Sequence, residues 1–108
     1  MSRKVVILNV AKPDFREIKT HVKSQFGEAV WNDVNEEFKS TINNIGLNPE
    51  AGKEIEELKE LGQENFRTSL VRQTRIIYEF DEKGVFVHMF IHTKRDFRTH
   101  LLKRLFNI

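Results

Sequence analysis

The spacing of apolar residues changes twice along the chain, and each change marks a new kind of element. "VVIL" at residues 5–8 is a β-branched run that predicts a buried strand over about residues 3–10. Phe15, Ile18, Val22 and Phe26 then recur every three or four residues and form one stripe that stops at Gly27. Pro13 and Asp14 open this helix, because proline is tolerated at the first helical position and an acid suits the positive end of the helix dipole. The spacing predicts a helix over 13–26. Val30, Trp31, Val34, Phe38, Ile42 and Ile45 keep the period and predict a second helix over 28–45, ended by Gly46. Two helices joined by a glycine make a helical hairpin.

"NIGLNPEAGKE" breaks the period with Gly, Asn-Pro and Gly, and residues 48–64 allow only a short helical turn through Ile55, Leu58 and Leu61 before Gly62. From Phe66 the pattern becomes that of strands. "FRTSLV", "RIIYEF" and "VFVHMFIH" are rich in β-branched and aromatic residues, and Arg72–Thr74 and "DEKG" between them have hairpin length. Thr93-x-x-Asp96 resembles a capping box, leading into a last amphipathic helix with Phe97, Leu101, Leu102, Leu105 and Phe106 on one stripe. The order is β-α-α-β-β-β-α. Segregated helices and strands predict an α+β domain, with the N-terminal helical hairpin packed on a mostly antiparallel sheet and an amphipathic helix at the C-terminus.

Composition narrows the class. A chain of 108 residues, 39% apolar with nine Phe, holds one core, so residues 1–108 read as a single domain. No cysteine is present, which excludes disulfides and thiolate chemistry and suits a cytoplasmic location. No apolar run approaches the ~20 residues that span a bilayer, and the run at Val5–Leu8 is too short for the core of a secretory signal. No membrane partner is expected.

The formal charge is only +2, but it is unevenly spread. Residues 50–64 hold six Glu against Lys53 and Lys59, whereas Arg67, Arg72 and Arg75 stand in 66–75 without an acid. Lys94, Arg95, Arg98, Lys103 and Arg104 face only Asp96 in the last segment. This polarity suits a polyanion or an acidic peptide. Lys94 and Arg95 are expected in the first turn of the last helix, where the dipole disfavours cations by about 0.3–1 kcal/mol each, so local stability does not account for them. A solvated face remains the plain alternative.

No glycine-rich phosphate loop, His-Glu-x-x-His pair or Gly-x-Ser-x-Gly elbow occurs. His88 and His92 are expected on one strand face but roughly 13 Å apart at about 3.3 Å per residue, so no metal site and no cofactor is predicted. Tyr78 reads as a half-buried strand residue. Arg67, Arg75 and Arg95 come from neighbouring strands and the end of the last one. If register and face agree they converge, and converging guanidinium groups grip phosphate; if not, they sit in separate surface ion pairs.

The stretch "TRIIYEFDEKGVFVHMFIHTKRDFRTHLLKRLF" resembles the C-terminal part of toxins of the RelE/ParE superfamily, the toxic halves of bacterial type II toxin–antitoxin pairs, and within it the ParE branch. An Arg opens a strand ending in aromatic and acidic residues, and His-x-x-Arg-Asp leads into a Leu-rich basic helix; "NPEAGKEIEEL" matches the Pro-x-x-Gly and following Leu that precede the meander. The resemblance covers roughly the last 60 residues by motif and implies a growth-inhibiting toxin neutralised by a cognate antitoxin with an acidic, partly disordered segment. ParE-type members inhibit DNA gyrase; for that activity Lys94, Arg95, Arg98, Lys103 and Arg104 are the candidate target-binding residues. RelE-type members cleave messenger RNA on the ribosome, and for that activity Arg67, Arg75 and Arg95, with His92 as acid or base, are the candidate catalytic residues. Ser69 replaces a second basic residue of that site and no Tyr follows Tyr78, which favours the gyrase branch over the ribosome and its mRNA. A non-toxic nucleic-acid-binding module is the third reading.

Overall fold

The computed structural model describes residues 3–106. Strand β1 covers Val5–Ile7, and a turn of 3-10 helix at Asn9–Ala11 replaces the rest of the strand expected over 3–10. Helices α1 (Lys12–Phe26) and α2 (Glu28–Leu47) form the hairpin. They are broken at Gly27, whose φ of 91° lies where only glycine is comfortable.

Gly46 does not end α2. It lies inside the helix, which runs on to Leu47, and a Cβ there would meet the Arg3 carbonyl oxygen at 2.9 Å; the missing side chain lets β1 close on the helix. The segment after α2 supplies an edge strand that the sequence pattern did not predict, β2 at Lys53–Glu54, and then the expected helical turn, α3 at Glu56–Glu60. The meander is β3 (Phe66–Val71), β4 (Thr74–Phe80) and β5 (Val85–His92), followed by α4 (Phe97–Phe106).

The sheet order is β1-β5-β4-β3-β2, antiparallel except where β1 runs parallel to β5 at the edge. One face carries Val71, Ile76, Tyr78, Phe80, Val85, Val87 and Phe90 against Trp31, Val34, Phe38 and Ile45 of α2, with Phe15 of α1 packed among them. The other face carries Phe66, Ile77, Met89 and Ile91 against Leu58 of α3 and Phe97 and Leu101 of α4. The hairpin and α4 therefore sandwich the sheet, and each strand of the meander is apolar on both sides.

A bulge in β5 reorganises its faces. Met89 stands opposite Ile77 and Val87 opposite Tyr78, so His88 has no partner on β4. Val87 and Phe90 consequently share the hairpin face although they are three residues apart. His88 and His92, expected on one face, end on opposite faces. His88 is buried and lies 2.8 Å from Glu79 Oε1, with its ring 5.0 Å from that of Phe66.

β1 pairs only with Val85–Val87, which leaves the outer edge of the second half of β5 without a strand. Two side chains occupy it. Asp14 accepts the Phe90 N–H at 3.2 Å, Arg104 donates to the His88 carbonyl at 2.8 Å, and Arg104 and Asp14 pair at 2.8 Å.

Candidate functional site: separated arginines and an apolar cavity

Of the two arrangements left open for Arg67 and Arg75, the separated one is found. Arg67 stands opposite Tyr78 in the β3–β4 ladder and so shares the hairpin face, whereas Arg75 stands opposite Ile91 and shares the α4 face. Each is held by local partners. Arg67 donates to the Glu64 carbonyl at 2.8 Å, approaches Glu54 at 3.8 Å and lies 5.4 Å from the centroid of the Phe80 ring. Arg75 lies over the Phe97 ring at 4.9 Å, with Arg98 over the same ring at 4.6 Å, and its Nε is buried without a hydrogen-bond partner. A β-sheet stands between the two guanidinium groups, so they cannot grip one phosphate.

His92 ends β5 on the hairpin face. Its Nδ1 accepts the Lys94 N–H at 3.1 Å, so the ring proton sits on Nε2, which donates to Gln73 Oε1 at 3.1 Å. Both nitrogens are thus engaged by the turn itself. Tyr78 is fully buried rather than half-buried, and its hydroxyl donates to the Pro49 carbonyl at 2.7 Å. Burial pushes its pKa above the ordinary 10.0, which suits a structural phenol.

Lys94 and Arg95 lie in the turn before α4, not in its first turn. Asp96, not Thr93, caps the helix: its carboxylate accepts the Thr99 N–H at 3.3 Å and the Thr99 hydroxyl at 2.6 Å. Those hydrogen bonds hold the Asp96 pKa below the usual carboxylate range. Lys94 and Arg95 are exposed, and Arg95 Nη2 lies 3.3 Å from His100 Nε2. Arg98 pairs with Glu57 of α3, and Arg104 is committed to Asp14, whereas Lys103 is exposed. Of the five basic residues expected at a target surface, Lys94, Arg95 and Lys103 thus have no carboxylate partner among the described residues.

A cavity of about 580 Å³ opens between α1, the start of α2 and the ends of β3, β4 and β5. Ile18, Val22, Val30, Val34, Val71 and Phe90 form its apolar floor, and Asp14, Glu17, Arg72, His92 and Arg95 its charged and polar rim. Phe26, at its mouth, is 64% exposed. Sequence periodicity assigns Ile18, Val22 and Phe26 to the core; Ile18 and Val22 are half-buried against it, whereas Phe26 is exposed. Arg72 holds the β3–β4 turn at this rim. It has a φ of 53°, unusual for a side-chain-bearing residue, and pairs with Glu37 of α2 at 2.6 Å.

The arrangement is a sandwiched, mostly antiparallel sheet with a basic turn after β5, an apolar groove beside that turn and, among the described residues, no assembled catalytic cluster. The family model for the ParE toxin of the type II toxin–antitoxin system parDE matches residues 5–97. The chain belongs to the ParE toxin family. It is therefore the toxin of a toxin–antitoxin pair. No curated protein matches the chain. Among the described residues of this ParE-family toxin, no helix is long and apolar enough to cross a membrane, and no three His, Asp or Glu side chains gather as a metal site would need.

Proposed function

We propose that this ParE-family toxin arrests growth in the cytoplasm by inhibiting DNA gyrase. The observation that carries the reading is the separation of Arg67 and Arg75 onto opposite faces of the sheet. Cleavage of RNA needs an acid, a base and a clamp on one phosphate, within about 3 Å of the reacting atoms. A binding inhibitor needs only a surface, and Lys94, Arg95 and Lys103 supply free cations for one. The antitoxin is proposed to lay an acidic, partly disordered segment in the cavity beside α1. The apolar floor of Val22, Val34 and Phe90 supplies desolvation there, and Arg95, which has no carboxylate partner among the described residues, supplies charge complementarity.

The test uses the purified toxin in two reactions. In a supercoiling reaction containing gyrase, DNA and ATP, the toxin should block supercoiling, and Arg95→Glu should weaken the block with little change in the thermal midpoint. Primer extension on translated messages should show no new cuts. Cuts in those messages with gyrase untouched, lost on Arg67→Ala or Arg75→Ala, would replace the reading with the ribonuclease one. Expression that leaves bacterial growth unaffected while the protein is folded would remove toxicity itself.

A further inference from the structure

Four cations line one side of α1: Lys12, Arg16, Lys19 and Lys23. At 3.6 residues per turn, their spacings of four, three and four confine them to an arc of about 60° and spread them over about 16 Å of helix axis. No acid lies three or four residues from any of them. Asp14 and Glu17 project elsewhere, Asp14 to Arg104 and Glu17 to the rim of the cavity. Lys12, Arg16 and Lys19 are exposed and form no ion pair among the described residues, while Lys23 reaches Glu28 at 3.4 Å.

This segregation works against the helix. Each neighbouring pair on the stripe places like charges at the spacing where side chains meet, which destabilises a helix, and Lys12 sits at the positive end of the dipole. An ordinary solvated face intersperses both signs, as α2 does where Lys39 pairs with Glu36 one turn away. The four stripe positions themselves are all cationic, with the exposed Thr20 to one side and the exposed Phe26 following Lys23 at the C-terminal end. A protein partner gains most of its affinity from several buried aromatic and aliphatic anchors, and this face offers only Phe26, at one end. A nucleic-acid backbone needs only cations at a regular pitch. Duplex DNA presents a phosphate about every 3.4 Å of axis on each strand, so the stripe faces about five.

We propose that the Lys12–Arg16–Lys19–Lys23 face of α1 is a phosphate-tracking surface that binds the backbone of duplex DNA without reading sequence. It stands on α1 alone and does not depend on gyrase being the target. Binding of the purified full chain to a short fluorescent duplex of random sequence, followed by anisotropy over rising KCl, tests it. The logarithm of affinity should fall linearly with the logarithm of salt with a slope of about −3, as for three or more neutralised phosphates. Arg16→Gln with Lys19→Gln, which keeps helix propensity, should lower affinity about tenfold at low salt and make the slope shallower by about 2. Lys53→Gln with Lys83→Gln removes the same net charge from exposed sites elsewhere and should change affinity less than about twofold. Equal losses in the two double variants would reduce the stripe to net charge and overturn the proposal. So would absence of duplex binding at low salt. Loss of antitoxin affinity in the stripe variant, with duplex affinity unchanged, would assign the face to an acidic protein instead.

Discussion

Asp14 of α1 and Arg104 of α4, ninety residues apart, together do the work of a strand along the open half of β5. The carboxylate takes the Phe90 N–H and the guanidinium takes the His88 carbonyl, at the two backbone groups that β1 is too short to reach. The pair also ties the hairpin layer to α4 across the sheet edge. An exposed, unpaired edge is a template for aggregation, and a charged pair blunts it.

Arg104 is therefore not the free surface cation that its place in a basic helix suggests. Arg104→Glu should destabilise the protein by about 1–3 kcal/mol, since it leaves the His88 carbonyl unpaired and sets two carboxylates together. Lys103→Glu, one residue away and exposed, should stay within about ±0.5 kcal/mol. Urea midpoints of the two variants separate these outcomes; equal midpoints would show that the edge pair contributes nothing.

Leu101, 1% exposed, docks α4 on the sheet. Leu101→Asp should abolish cooperative folding, because an unpaired buried charge costs several kcal/mol, a large part of the roughly 5–15 kcal/mol that holds a domain together. Trp31, the single tryptophan, lies in the core on the opposite face of the sheet. Loss of its burial, read by fluorescence, would show that both layers fold as one unit; a native signal from Trp31 would show that α4 docks independently.

Tyr78 is the single tyrosine, so phenolate absorbance reports it alone. Its folded pKa is raised by burial, above the 10.0 of an exposed phenol. The unfolded chain therefore releases this proton first, and the stability linked to Tyr78 is fully present below pH 10 and is lost as pH rises through the folded value. Native protein should titrate later than urea-unfolded protein. Tyr78→Phe should flatten the alkaline fall in stability, though it also deletes the hydrogen bond to Pro49. Coincident native and unfolded titrations would contradict the burial.

Gly52 lies under the same phenol. A Cβ there would collide with the Tyr78 hydroxyl and meet the Thr68 carbonyl at 3.0 Å. Gly52→Ala should cost about 1–3 kcal/mol through overpacking and displace Pro49 from Tyr78. Its thermal midpoint should rise toward wild type when combined with Tyr78→Phe, which removes the colliding atom. Additive effects of the two changes would rule the contact out.

Sequence periodicity alone determined the helical hairpin, the meander, the last helix and the α+β class, because each of those elements writes its own period into its apolar residues. Phe15, Ile18 and Val22 repeat at helical spacing whatever the sheet beneath them does, and "DEKG" turns whatever strands it joins. The three-dimensional structure decided what depends on pairing. "VFVHMFIH" is apolar at every position but its two histidines, so it shows no alternation that could reveal the bulge at His88, which sends His88 and His92 to opposite faces. Lys53–Glu54 is too short and too charged to read as a strand, and becomes one only because β3 offers it an edge. Arg67 and Arg75 differ by an even number of residues, yet lie on different faces because the β3–β4 turn takes an even count and returns the chain in antiparallel register. Asp14 and Arg104 meet only because β1 ends early. Local spacing fixes what one element buries; a contact between elements depends on register, and register is settled by the whole sheet at once.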